Sequence, residues 1–209
     1  MDRWLGIDSK FYKYGTLLAD LIILTILWII CSIPIITIGA STTALYYVTT
    51  RQLSNREGYV SKDFFKSFKQ NFFEATAVTI IAGLLLAVIY INLRFFNPDT
   101  TINTIIYLIQ YVILYEILIF VIYVFPVLSR FELKLGALIR TSIFMANRHL
   151  LTTITCAVLF IAMVMILKNW GILVILCAGV YAILTSLMFM KLFRRYVPDM
   201  DKDKPEDRV

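Results

Sequence analysis

The chain has 209 residues, 60% of them apolar and 14% aromatic, with only 16% charged. Soluble domains run about 45–50% apolar and about 25% charged, so a water-soluble globule of this composition could not cover itself with polar surface. Together with a mean hydropathy of +0.80, this excludes an ordinary soluble domain and points to a membrane-embedded chain. The net charge of +6 comes from 20 Lys and Arg against 14 Asp and Glu, and five of the acids lie in the last eleven residues. The basic groups sit between apolar runs and form no single solvated patch, which argues against nucleic acid as a partner. Cys31, Cys156 and Cys177 all fall inside apolar runs, with no CxxC spacing and no neighbouring His. They read as small buried hydrophobes, with no metal or disulfide implied.

A membrane-crossing helix needs about 20 mostly apolar residues for a hydrocarbon core of about 30 Å. Residues 21–50 carry no charge; that length is too long for one span and too short for two generous ones. Within this run Pro34 lacks an amide donor and Gly39 tolerates turn geometry. The pattern predicts a helix over residues 14–32, a tight Pro34/Gly39 break, and a short return helix over 41–53 with Ser41 or Thr42 as N-cap. The first apolar run is far longer than the apolar region of a signal peptide. Further uncharged runs at 75–93, 102–129 (interrupted only by Glu116), 150–167 and 169–190 give four more segments. Lys168 to Gly171 makes the last two a hairpin, with Trp170 suited to an interface.

The connectors also carry structure. Phe64, Phe68 and Phe72 recur every four residues, with Lys62, Lys66 and Lys69 on the other side. This predicts an amphipathic helix with its aromatic face in the headgroups and its basic face toward anionic lipid. A second amphipathic connector runs from Arg130 to Arg148, with Phe131, Leu135, Leu138 and Ser142 on one stripe. Residues 55–58 read as a turn, and residues 198–209 as a charged, disordered tail after a single helical domain over 1–197. Phe68 and Asn71 recur as Phe144 and Asn147, an offset of 76 that suggests a duplicated hairpin with its leading helix.

The fold class is therefore an all-α transmembrane bundle of about six membrane segments, the second short, plus two amphipathic helices. Six crossings with both termini on one side place 18 Lys and Arg there and only Arg94 and Lys168 opposite. A five-crossing alternative, with Pro34 merely kinking one span, divides them 15 to 5. The positive-inside rule therefore favours six crossings with both termini cytoplasmic.

Ionisable groups inside membrane segments are functional candidates by default. Glu116 lies mid-span and Asp20 one to two turns from a span end. Both suit a proton or ligand site, or else a protonated Glu bonded across helices and an Asp that stays wet. Tyr107, Tyr111 and Tyr115 share one helix face with Gln110 beside them; such a stripe can line a polar cleft or pack helices through its hydroxyls. The hydroxylated return helix (Thr42, Thr43, Tyr46, Tyr47, Thr49, Thr50) favours burial against other helices. His149 beside Arg148 has no catalytic partner at recognisable spacing. No nucleotide, zinc-protease or hydrolase motif is present in the sequence, so neither catalytic residues nor a cofactor are expected.

The run from Asp20 to Trp28, then Pro34-Ile-Ile-Thr-Ile-Gly-Ala-Ser-Thr-Thr-Ala-Leu-Tyr-Tyr47, Glu57-Gly-Tyr59 and Phe64 to Phe72 resemble the YesL family of bacterial integral membrane proteins. The likeness is dense over residues 20–77 and looser beyond. It implies a plasma-membrane protein of a Gram-positive bacterium, encoded beside carbohydrate-uptake transporters and glycoside-degrading enzymes. It transfers no catalytic residue, because the family is a domain of unknown function. Two readings follow: an accessory or assembly protein partnering permease subunits of an ATP-driven sugar transporter, or a small transporter with a polar site around Glu116. A homodimer is compatible with either.

Overall fold

The computed structural model describes residues 10–54, 59–95, 101–131, 133–169 and 174–196. The expected turn at 55–58, the tail from 198 and Trp170 lie outside the described residues. Those described form eight α-helices and no strands: α1 (Lys10–Ser32), α2 (Ile38–Leu53), α3 (Val60–Gln70), α4 (Phe72–Phe95), α5 (Thr101–Leu128), α6 (Leu135–Arg148), α7 (Leu150–Asn169) and α8 (Val174–Phe193). Gly15–Ser32, α4, Asn103–Leu128 and α7 are each long and apolar enough to cross a membrane, and Cys177–Phe193 of α8 is a shorter apolar helix. At 1.5 Å per residue α4 is about 36 Å long, which exceeds a hydrocarbon core of about 30 Å. These helices expose Ile, Leu and Val freely, as segments solvated by lipid must. The chain is a membrane-embedded helical bundle.

The chain reverses after α1 at Pro34, where a short 3₁₀ turn (Ile35–Thr37) leads into α2. Thr37, rather than the expected Ser41 or Thr42, takes the N-cap position of α2. Its hydroxyl donates to the carbonyls of Cys31 (2.6 Å) and Pro34 (2.7 Å). The first of these bonds satisfies a carbonyl left orphaned by the end of α1, in a turn with Ile33, Ile35 and Ile36 exposed around it. Ser41 lies inside the helix and bonds back to the Ile38 carbonyl. Gly39 also lies inside α2, not in the turn. A Cβ there would fall on Thr79 Oγ1, 2.6 Å from Phe125 Cε1 and 2.8 Å from the Ala75 carbonyl. The glycine is required for close approach of α2 to α4 and α5.

Ten of the 16 residues of α2 are buried, Gly39 to Ser41, Thr43 to Tyr46 and Val48 to Thr50. It is the central helix, packed against α1, α3, α4, α5 and α8. The Phe64 stripe of α3 turns toward it. Phe64 is fully buried with Leu24, Ala44, Leu45, Val48 and Ala182, and Phe68 stacks on it. The expectation that this aromatic face enters the headgroups is corrected. Leu24 of α1, Ala44, Leu45 and Val48 of α2 and Ala182 of α8 cover Phe64 instead of lipid. The second connector behaves similarly: Leu138, Ser142, Met145 and Ala146 are buried, whereas Leu135 is exposed.

The repeat suggested by the sequence appears in the helices at a different offset. The break between amphipathic helix and span falls at Asn71 in one half and His149 in the other, 78 positions apart. The same register aligns backbone bonds across each break, Asn71 N to Ser67 O with His149 N to Met145 O, and Ala75 N to Asn71 O with Thr153 N to His149 O. It also superposes the buried residues Val60, Phe64, Ser67, Ala75 and Val78 on Leu138, Ser142, Met145, Thr153 and Cys156. The echo at 76 is thus two residues off the structural register. The halves meet where Tyr46 of α2 and Tyr123 of α5 both place their rings edge-on to Phe189 of α8, at 6.2 and 5.0 Å.

Candidate functional site

Glu116 is half-buried on α5, and its Oε2 accepts from Asn147 Nδ2 of α6 at 3.1 Å. Asn147 also donates to the Ile143 carbonyl, so the amide is anchored to its own helix while reaching for the carboxylate. Interhelical bonding is thus the arrangement observed for Glu116. Asn147 also borders an open hollow of about 600 Å³ lined by Arg140, Ile143, Phe144 and Arg148.

The other sequence candidates do not join it. Tyr111 and Tyr115 face outward, about half exposed, and Tyr107 meets Tyr111 edge-on at 5.3 Å. Tyr111 and Tyr115 therefore lie on the outer surface of α5, turned away from the Glu116–Asn147 contact. The Oε1 of Gln110 beside it is buried with no hydrogen-bond partner among the described residues. Asp20 is on α1, where Gln52 of α2 donates to its Oδ2 at 3.2 Å. Each acid is held by an amide from a neighbouring helix, on separate sides of the bundle.

Two hydroxyl networks hold the interior together. Tyr46 OH lies 3.2 Å from Thr185 Oγ1, and Thr49 Oγ1 lies 2.8 Å from Ser186 Oγ. These bonds tie α2 to α8 where the alternative is an unpaired hydroxyl in an apolar interior. The polarity of the return helix announced its half of this network; the signal in α8 was the Thr185-Ser186 pair in an apolar run, which stood out only once a partner was known. Around Tyr123, Thr153 Oγ1 donates to the phenol at 3.1 Å and to the Ala146 carbonyl at 2.8 Å. His149 Nε2 lies 2.7 Å from Tyr196 OH. Partial burial, with the Arg148 and Arg195 charges adding to it, lowers the His149 pKa below its ordinary 6.5. Arg51 pairs with Asp63 at 2.7 Å and fastens α2 to α3. Among the described residues no cluster of His, Cys, Asp or Glu could hold a metal ion.

Fold and polar contacts thus define an integral membrane protein whose helices are joined by buried hydroxyls and amide–carboxylate pairs. Residues 21–93, from α1 nearly to the end of α4, are similar to a family described as "Protein of unknown function, DUF624". No curated protein and no solved structure matches the chain.

Proposed function

We propose that the protein is a non-enzymatic accessory or assembly component for carbohydrate uptake in a bacterial plasma membrane, acting beside the permease subunits of an ATP-driven transporter. In this reading it crosses the membrane several times with both termini cytoplasmic, as the 18-to-2 division of Lys and Arg favours. The YesL-like residues of α1 and α2 supply the carbohydrate context. The observation that carries the reading is the centre of the bundle. There α2 is buried, and its Tyr46 and Thr49 are bonded to α8. A packed, hydrogen-bonded central helix is what an accessory bundle with no solute pathway of its own would have.

Purification in mild detergent is expected to bring down a permease, and deletion is expected to slow growth on at least one sugar. Unaltered growth across sugars, with no permease recovered, overturns the reading. A second reading, a small transporter working through Glu116, is favoured by that acid's place in an apolar helix beside an open hollow. It requires uptake by the purified protein in liposomes and loss of that uptake in Glu116→Gln.

A further inference from the structure

The two amphipathic helices are buried on corresponding faces, and their outward faces correspond as well. In the register set by Asn71 and His149, Lys62 of α3 superposes on Arg140 of α6, and both are exposed. Phe65 falls on Ile143, 44% and 40% exposed, and Phe73 on Leu151, 81% and 84% exposed. The remaining cations differ in position but share the same side: Lys66 and Lys69 on α3, Arg148 on α6. Asp63, the acid of α3, is turned inward to Arg51 and subtracts nothing from the outward charge. On α6 the basic and apolar side chains border the 600 Å³ hollow, with the Arg148 guanidinium 5.6 Å from the Phe144 ring centre.

We infer that these faces are a duplicated binding surface for anionic phospholipid headgroups in the leaflet on the α3 and α6 side, one surface per repeat. Each places cations on the amphipathic helix and a bare apolar side chain two residues past the hinge, at the first turn of a span. That order matches a lipid read from phosphate to acyl chain. Charge complementarity selects an anionic leaflet over a neutral one. Recurrence of the cation and both apolar positions in two segments of different sequence marks the pattern as a property of the repeat. Neither α3 nor α6 relies on its buried stripe for this contact, since those residues are spent on α2 and the core.

The test uses the full chain reconstituted in vesicles with spin-labelled lipid, comparing the association of phosphatidylglycerol and phosphatidylcholine with the protein surface. Phosphatidylglycerol is expected to be preferred severalfold. Lys62→Gln and Arg140→Gln should each lower that preference, one cation near an anionic surface being worth up to about fivefold, and neutralising Lys66, Lys69 and Arg148 together with them should bring it close to unity. Arg94→Gln and Lys168→Gln, at the far ends of the spans, should leave it unchanged, and excess inorganic phosphate should not compete. Equal association of the two lipids, a preference that survives the combined variant, or displacement by inorganic phosphate overturns the proposal. The first of these outcomes would assign the faces to an acidic protein partner instead.

Discussion

At Gly39 a single missing carbon decides how three helices meet. The nearest obstacles to a methyl there are a hydroxyl, an aromatic edge and a backbone carbonyl, and the carbonyl cannot rotate away. Gly39→Ala is expected to destabilise the protein by about 1–3 kcal/mol, the usual cost of overpacking, seen as a lower unfolding midpoint in detergent. Thr79→Ala in the same chain should restore only part of the loss, because the Ala75 carbonyl remains. His149 is the residue whose charge should matter. Its lowered pKa means that the unfolded chain binds the proton more readily. Stability is therefore full above the unfolded value of about 6.5, and falls as pH drops through it toward the folded value. Thermal midpoints measured between pH 5 and 7.5 should decline toward acid in the wild type and flatten in His149→Gln.

The elements show what chain pattern can and cannot reveal. The apolar runs between charges marked out every long helix, since a lipid solvent imposes length and hydropathy on each span separately. Pro34 marked the reversal for the same local reason. The orientation of α3 was not legible, because a four-residue Phe period states that one face is apolar without stating what covers it. The cover comes from three other helices, Leu24 of α1, Ala44, Leu45 and Val48 of α2 and Ala182 of α8, none of which the period of α3 can name. Phe64→Ala is therefore expected to cost about 3–5 kcal/mol, while Phe65→Ala, on the exposed face, leaves the midpoint nearly unchanged. Comparable losses for both would return the stripe to the lipid. Between α2 and α8, a double-mutant cycle of Thr49→Val with Ser186→Ala should yield a coupling of about 0.6 kcal/mol, within the range known for polar contacts between membrane helices. Of the candidate site, Glu116 and Asp20 were visible as charges in apolar runs. Their partners Asn147 and Gln52 lie 31 and 32 residues away and had no local signature.

For the molecule as a whole, the two repeats begin at the same end of the bundle, each with an amphipathic helix hinged to a span. The offset of 78 comes from burial and hinge position, whereas the Phe and Asn echo at 76 follows side chains that occupy different faces. With the α3 and α6 cations on one side and Lys168 at the far end of α7, orientation becomes the property on which the proposed role and the lipid contact both depend. It is tested most directly by placing single cysteines at Lys62, Arg140 and Lys168, in a chain whose three native cysteines are replaced, and labelling cells with a membrane-impermeant maleimide. Labelling is expected at position 168 in intact cells and at 62 and 140 only after permeabilisation; labelling at 62 or 140 in intact cells would place α3 and α6 outside and overturn the orientation.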